Sequence, residues 1–179
     1  MDTQTLESGR VKRKMVYTGP LYEWALSPGD LGKERKRAAA LLLAGWVVYI
    51  GSLLTVSTFT KVWYIVLPYA GYLLCHIFES FSVWNLCMAK QPMDQETADK
   101  SSDRLKGCSL AELVLLALAG VGMILQLSQK GISVLVLGDW LLVAAEFLLL
   151  CLAAGSFCCS RHFLMKEVDN PQYQIWKDR

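Results

Sequence analysis

Ionisable side chains inside long apolar segments are the residues of this 179-residue chain that could do chemistry. They are Asp139 and Glu146 in the apolar run 132–159, and His76 and Glu79 in the run 62–88. A charged side chain at the centre of a bilayer costs about 3 kcal/mol on insertion scales, so such residues persist where they are paired, hydrated or functional. Their chemistry includes interhelical hydrogen bonding, proton relay, ion binding and acid–base catalysis.

Helical spacing places these side chains on two narrow polar stripes. Seven residues turn an α-helix by about 700°, roughly 20° short of two full turns, so Asp139 and Glu146 share a face, with Glu146 near mid-bilayer. The other stripe covers about 80° of the helix by the same arithmetic and contains Tyr69, Tyr72, His76 and Glu79. We predict that these six residues form an intramembrane polar cluster, in which a Glu146–His76 contact is sterically possible.

Four interpretations of this predicted cluster stay open at the sequence level. It could be a structural hydrogen-bond network, with bonds contributing about 0.6–2 kcal/mol each. It could be a proton or cation pathway, a lipid-modifying site with His76 and Glu79 as acid and base, or a set of charges paired with another subunit. Glu112, at the edge of a third apolar run, is expected to reach headgroup water or to pair with Lys106, and is assigned no role.

The elements that must position these groups are apolar segments of membrane-spanning length. A bilayer core about 30 Å thick requires about 20 residues of helix. The first run, 38–60, contains no charged residue, so it lacks the polar outer face of a soluble bundle helix. We predict an all-α integral membrane four-helix transmembrane bundle made of two antiparallel hairpins. Its parts are a polar cytosolic N-terminal segment with an interfacial aromatic patch (1–27), a basic helix entering span 1 (28–60), span 2 (62–88), a cytosolic loop (89–108), span 3 (109–129), span 4 (132–159) and a cytosolic tail (160–179).

The distribution of Lys and Arg predicts the orientation. Residues 1–37 contain eight, and the middle loop and the tail contain four each, whereas the other connections contain only Lys61 and Lys130. By the positive-inside rule, both termini and the middle loop are cytosolic. The outer connections contain neither cysteines nor glycosylation sequons, which favours a bacterial cytoplasmic membrane.

Two local patterns add detail near the N-terminus. Ser27 followed by Pro28 is typical of a helix start, with Ser27 as the N-cap. An aromatic patch precedes it, and its position indicates either the membrane interface or partner docking. The docking candidates are Tyr17, Tyr22 and Trp24.

The sequence lacks the motifs of several common enzyme and nucleotide-binding classes. It contains no Walker loop, no H-E-x-x-H or G-x-S-x-G motif and no dinucleotide fingerprint, and its six cysteines lack C-x-x-C spacing. We predict no cofactor, no metal and no nucleic-acid partner; the expected partners are the lipid bilayer and other membrane subunits or a second copy of the chain.

We predict from the sequence that this small multi-pass protein is a non-enzymatic accessory or assembly component of a membrane complex. The first alternative is a small proton- or cation-coupled transporter that uses Glu146, Asp139, His76 and Glu79. The second is a membrane-embedded lipid-modifying enzyme with a His76/Glu79 acid–base pair.

Overall fold

The computed structural model of the chain describes residues 2–5, 11–14, 19–130 and 135–168. Four of the described helices are long and apolar enough to cross a membrane, which confirms the all-α prediction and is consistent with an integral membrane protein. The elements in chain order are β1 (Asp2–Thr5), β2 (Val11–Lys14), β3 (Leu21–Trp24), α1 (Pro28–Leu53), a short 3₁₀-helix (Thr58–Lys61), α2 (Trp63–Met88), α3 (Gln95–Ser101), α4 (Asp103–Lys130), α5 (Leu137–Ser160) and β4 (Met165–Val168).

The outer surface of the bundle is apolar, and several of its polar residues face inward. Val47 of α1, Leu67 of α2 and Phe147 of α5 are each about two-thirds exposed or more, at 72%, 67% and 70%. His76 and Glu79, by contrast, are buried. Large exposed apolar surfaces mark contacts with a membrane or with other proteins, so this distribution fits helices surrounded by lipid.

The four long helices pack as a closed ring in which α2 and α4 share the most extensive interface. The interfaces of α4 with α5 and of α1 with α5 come next, and α1 contacts α2 less. α2 therefore directs its buried face mainly towards α4. Pro68 lies inside α2.

One end of the bundle is closed by a small folded unit, the end cap, formed by β3, β4 and α3. β3 and β4 pair as antiparallel strands, so the chain before α1 and the chain after α5 meet at the same end. Trp24 packs edge-to-face on Phe163 with ring centroids 5.7 Å apart, and both are buried. Of the docking candidates, Trp24 thus lies inside the end cap, Tyr22 is half-buried and Tyr17 lies outside the described residues.

Helix starts follow the local signals in the sequence. Ser27 is the N-cap of α1, where its Oγ accepts a hydrogen bond from the Asp30 N–H at 3.3 Å, and Pro28 occupies the first helical position. This confirms the predicted start of the first helix. The middle loop contains a short helix, α3, with an ion pair between Glu96 and Lys100.

Candidate functional site

Three ionisable side chains meet at the interface of α2 and α4. His76 and Glu79 lie one turn apart on α2, and Glu112 comes from α4. The His76 Nδ1 atom is 3.1 Å from Glu112 Oε1 and 3.3 Å from Glu79 Oε2. All three residues are at most 2% exposed, and one donor atom of each lies within 4.8 Å of the others. We refer to His76, Glu79 and Glu112 as the His76 cluster.

The imidazole of His76 is held in place from several sides. Its Nε2 atom is 3.3 Å from the carbonyl oxygen of Leu42 on α1; because a carbonyl only accepts, Nε2 carries the hydrogen and donates it. The other ring nitrogen, Nδ1, faces the two carboxylates. The Tyr72 ring stacks on the imidazole with centroids 5.1 Å apart, and Trp46 contacts the same ring at 5.0 Å.

A glycine on α1 leaves the space that the His76 ring occupies. A Cβ atom at Gly45 would lie 2.7 Å from His76 Cε1 and 2.9 Å from Nε2. Real Cβ atoms do not approach carbon so closely, so a larger residue at this position would displace the imidazole. No sequence pattern around Gly45 indicates this role.

The two carboxylates of the cluster have unequal surroundings. Glu112 Oε1 is at hydrogen-bond distance from His76 Nδ1. Glu79 Oε2 is close to the same atom but forms no hydrogen bond with any residue that the structure describes. Two carboxylates thus converge on a single nitrogen, and one of them has a buried oxygen without a hydrogen-bond partner among the described residues.

Asp139 lies apart from the cluster, at the start of α5. Its carboxylate accepts hydrogen bonds from Ser57 Oγ and the Thr58 N–H, each at 2.7 Å, and from the Val136 N–H at 3.1 Å. The Thr58 hydroxyl lies 3.1 Å from both carboxylate oxygens. Asp139 therefore caps the first turn of α5 and ties it to the connection between α1 and α2. We call this arrangement the Asp139 cap.

Glu146 is also separate from the His76 cluster. It is 3% exposed, and neither of its carboxylate oxygens has a hydrogen-bond partner among the described residues. The Tyr69 hydroxyl is close enough to interact electrostatically with the Glu146 carboxyl group. The hydrogen bond of that hydroxyl, however, is to Ser52 Oγ at 3.4 Å. The Glu146–His76 contact considered from the sequence is not formed as a hydrogen bond, because the α4 carboxylate of Glu112 occupies the position facing His76.

The environment of Glu112 differs from the one predicted from the sequence. It was expected to reach headgroup water or to pair with Lys106, but it is 1% exposed, and Lys106 pairs with Asp103 at 3.8 Å. The reason is that α4 begins at Asp103 and packs along α2, which brings Glu112 level with His76. The signal available in the sequence was that Glu112 is the only charged residue between 110 and 127.

Comparisons with known proteins give no guide to the role of this cluster. No family model, no curated protein and no solved structure matches the chain. The chemistry of the side chains remains informative, because an imidazole nitrogen and carboxylate oxygens are donors that hold a proton or a metal ion.

Proposed function

We propose that this chain is a non-enzymatic multi-pass membrane component that binds a cation inside its helical bundle, as a small transport unit does. The observation that carries the proposal is the convergence of Glu79 and Glu112 on His76 Nδ1, with all three residues buried. Ionisable groups inside membrane helices typically mark ion pathways and coupling sites. Asp139 and Glu146 lie outside this site.

In the proposed topology the chain forms two antiparallel hairpins with both termini in the cytosol. The Lys and Arg distribution supports the orientation, and the pairing of β3 with β4 is consistent with a common side for the two chain ends. At 1.5 Å per residue, His76 lies about 20 Å along α2 from its outer end, within the hydrocarbon region. A bacterial cytoplasmic membrane remains the proposed location.

Two cavities of the described part of the chain lie away from the His76 cluster. A lipid-modifying enzyme would need a cavity open to lipid beside His76. Two cavities, of about 420 and 270 Å³, are lined instead by residues around Tyr64 and Leu118 and by residues around Tyr49 and Tyr69. No residue of the His76 cluster lines either of them. This supports the non-enzymatic proposal over the acid–base alternative.

Cation flux into proteoliposomes tests the proposal. The purified chain is reconstituted with ion-sensitive dyes, and the uptake of Na⁺, K⁺, Mg²⁺ and Mn²⁺ is compared with that of empty vesicles. We expect uptake of at least one of these cations, its reduction to near the empty-vesicle rate in Glu112→Gln, and its retention in the control Glu146→Gln. Uptake that is absent for all four cations, or unchanged in Glu112→Gln, would contradict the proposal.

The end cap favours a second candidate, an accessory or assembly component. Its strands and α3 enclose buried Trp24, Met93 and Phe163, so the polar end of the bundle has a defined shape that a membrane partner or a second copy could recognise. Native gels of solubilised membranes test this. A larger complex that is lost in the exposed-surface variant Asp99→Lys but kept in Glu112→Gln would support assembly, whereas migration of the wild type as a lone monomer would contradict it.

A further inference from the structure

The donor atoms of the His76 cluster are spaced as metal ligands are. His76 Nδ1 lies 3.1 Å from Glu112 Oε1 and 3.3 Å from Glu79 Oε2, and one ligand atom from each residue lies within 4.8 Å of the others. Metal–ligand bonds of about 2.0–2.2 Å place neighbouring ligand atoms roughly 3–3.5 Å apart. An ion could therefore be bound with only small side-chain movements.

The surroundings of His76 resemble the outer shell of a metal-binding histidine. Such residues usually donate their second ring N–H to a carboxylate or to a backbone carbonyl, which fixes the tautomer and aims the other nitrogen at the ion. Here the Leu42 carbonyl accepts from Nε2 at 3.3 Å. Gly45 leaves room for the ring in this orientation, so Nδ1 faces the two carboxylates.

Glu79 supplies an independent indication that something binds here. It is 1% exposed, and its Oε2 points at His76 Nδ1 without a hydrogen bond to any described residue. Uncompensated charge is most costly in an apolar interior. A single proton on Nδ1 would offset one of the two carboxylates, whereas a divalent cation would offset both.

We infer that the His76 cluster binds one divalent transition-metal ion through His76 Nδ1, Glu79 Oε2 and Glu112 Oε1. The inference rests on the proposed function, since it names the class of cation. A nitrogen with two carboxylate oxygens suits Mn²⁺, Fe²⁺, Co²⁺ or Zn²⁺, whereas Mg²⁺ and Ca²⁺ prefer oxygen ligands alone. Three protein ligands leave a coordination position open, so the ion can exchange, as a transported ion must.

Titration of the full chain with Co²⁺ tests this inference. The protein in detergent is treated with a chelator, dialysed and titrated while visible absorption reports coordination and mass spectrometry counts bound metal. We expect one Co²⁺ per chain, displaced by Zn²⁺ but not by excess Mg²⁺. Glu79→Gln and Glu112→Gln should each weaken binding by more than about 100-fold, and Glu146→Gln, a buried carboxyl outside the cluster, should bind as the wild type does.

A second variant separates ligand loss from misfolding. Gly45→Ala keeps all three ligands but displaces the His76 ring, so it should weaken Co²⁺ binding by at least about tenfold in protein that still unfolds cooperatively. Folded wild type that binds no Co²⁺ would overturn the inference. So would binding that survives both glutamine substitutions, because the ion would then sit elsewhere, for example near Glu34 and His162, which lie 3.6 Å apart.

The two proposals fail in different ways. Stoichiometric Co²⁺ binding that depends on Glu79 and Glu112, without flux of any cation, would uphold the metal site and overturn the transport proposal. Flux that is lost in Glu112→Gln, in protein that binds no Co²⁺, would uphold the transport proposal and overturn the metal site.

Discussion

The Asp139 cap and the His76 cluster both bury carboxylates, but they satisfy them differently. The Asp139 carboxylate is fully buried and accepts hydrogen bonds from backbone and hydroxyl donors of its own fold at 2.7–3.1 Å. In the His76 cluster, Glu79 and Glu112 share one imidazole nitrogen. A carboxylate surrounded by donors stabilises a fold, whereas two carboxylates on one nitrogen are arranged for an additional positive charge.

This difference has an energetic consequence. Hydrogen bonds to charged groups contribute about 1.5–3 kcal/mol each, and leaving buried donors unpaired is costly. Replacing a complete buried ionic cluster with apolar residues of similar volume is often neutral or even stabilising. We therefore expect the Asp139 cap to determine stability and the His76 cluster to determine ion binding, and the predictions below test that division.

Removing the Asp139 carboxylate should have the largest effect. Asp139→Ala leaves the hydroxyl of Ser57 and the backbone N–H groups of Thr58 and Val136 without their acceptor. We expect the free energy of unfolding to fall by about 3–5 kcal/mol, measured by denaturant titration in mixed micelles. The exposed control Asp99→Ala should change it little. A loss below about 1 kcal/mol for Asp139→Ala would remove the contrast between the two regions.

Metal should stabilise the protein through the cluster alone. A ligand at 100 times its Kd that binds only the folded state adds about 2.7 kcal/mol. We expect Co²⁺ at that concentration to raise the unfolding free energy of the wild type by this amount, and to raise that of Glu112→Gln by less than about 0.5 kcal/mol. Equal stabilisation of both proteins would place the ion outside the cluster.

Closing the space beside His76 should have an intermediate effect. A Cβ at Gly45 meets the imidazole at 2.7 Å, so Gly45→Ala should cost about 1–3 kcal/mol of stability. The matched control is Gly51→Ala on the same helix, where a Cβ would meet nothing within 4 Å; it should be neutral or stabilising by up to about 1 kcal/mol. Similar values for the two variants would show that the ring moves freely.

Glu146 belongs to neither region and should show the smallest effect. Its carboxylate is buried without a hydrogen-bond partner among the described residues, and an amide costs less to bury than a charge. We expect Glu146→Gln to raise the unfolding free energy by about 1 kcal/mol and to leave Co²⁺ binding intact. Marked destabilisation in thermal melts would instead reveal an interaction that the carboxylate makes.

Local features of the chain could be predicted from the sequence. Ser27 and Pro28 start α1 as expected. Helical periodicity also put Tyr69, Tyr72, His76 and Glu79 on one face of α2, and all four are buried. These features depend on neighbours within one or two helical turns, which a sequence shows directly.

The composition of the site could not be predicted in the same way. Glu112 joins His76 although 36 residues separate them, and Gly45 comes from a third helix. Helical spacing places Asp139 on the same stripe as Glu146, but in the structure its carboxylate accepts hydrogen bonds from Ser57 and Thr58. Helical periodicity predicts which face of its own helix a residue lies on. It does not predict which neighbouring helix packs against that face, or which residues of that helix lie opposite.

The sequence by itself determined four apolar helices, because the length of an uncharged segment and the cost of burying charge in hydrocarbon depend only on the residues present. The tertiary structure alone decided which carboxylate is a cap, which has no partner and which two face an imidazole. The physical reason is that contacts between helices depend on how the helices pack and on their relative positions along the bundle axis. Close approach at residues such as Gly45 and the α2–α4 interface determine both.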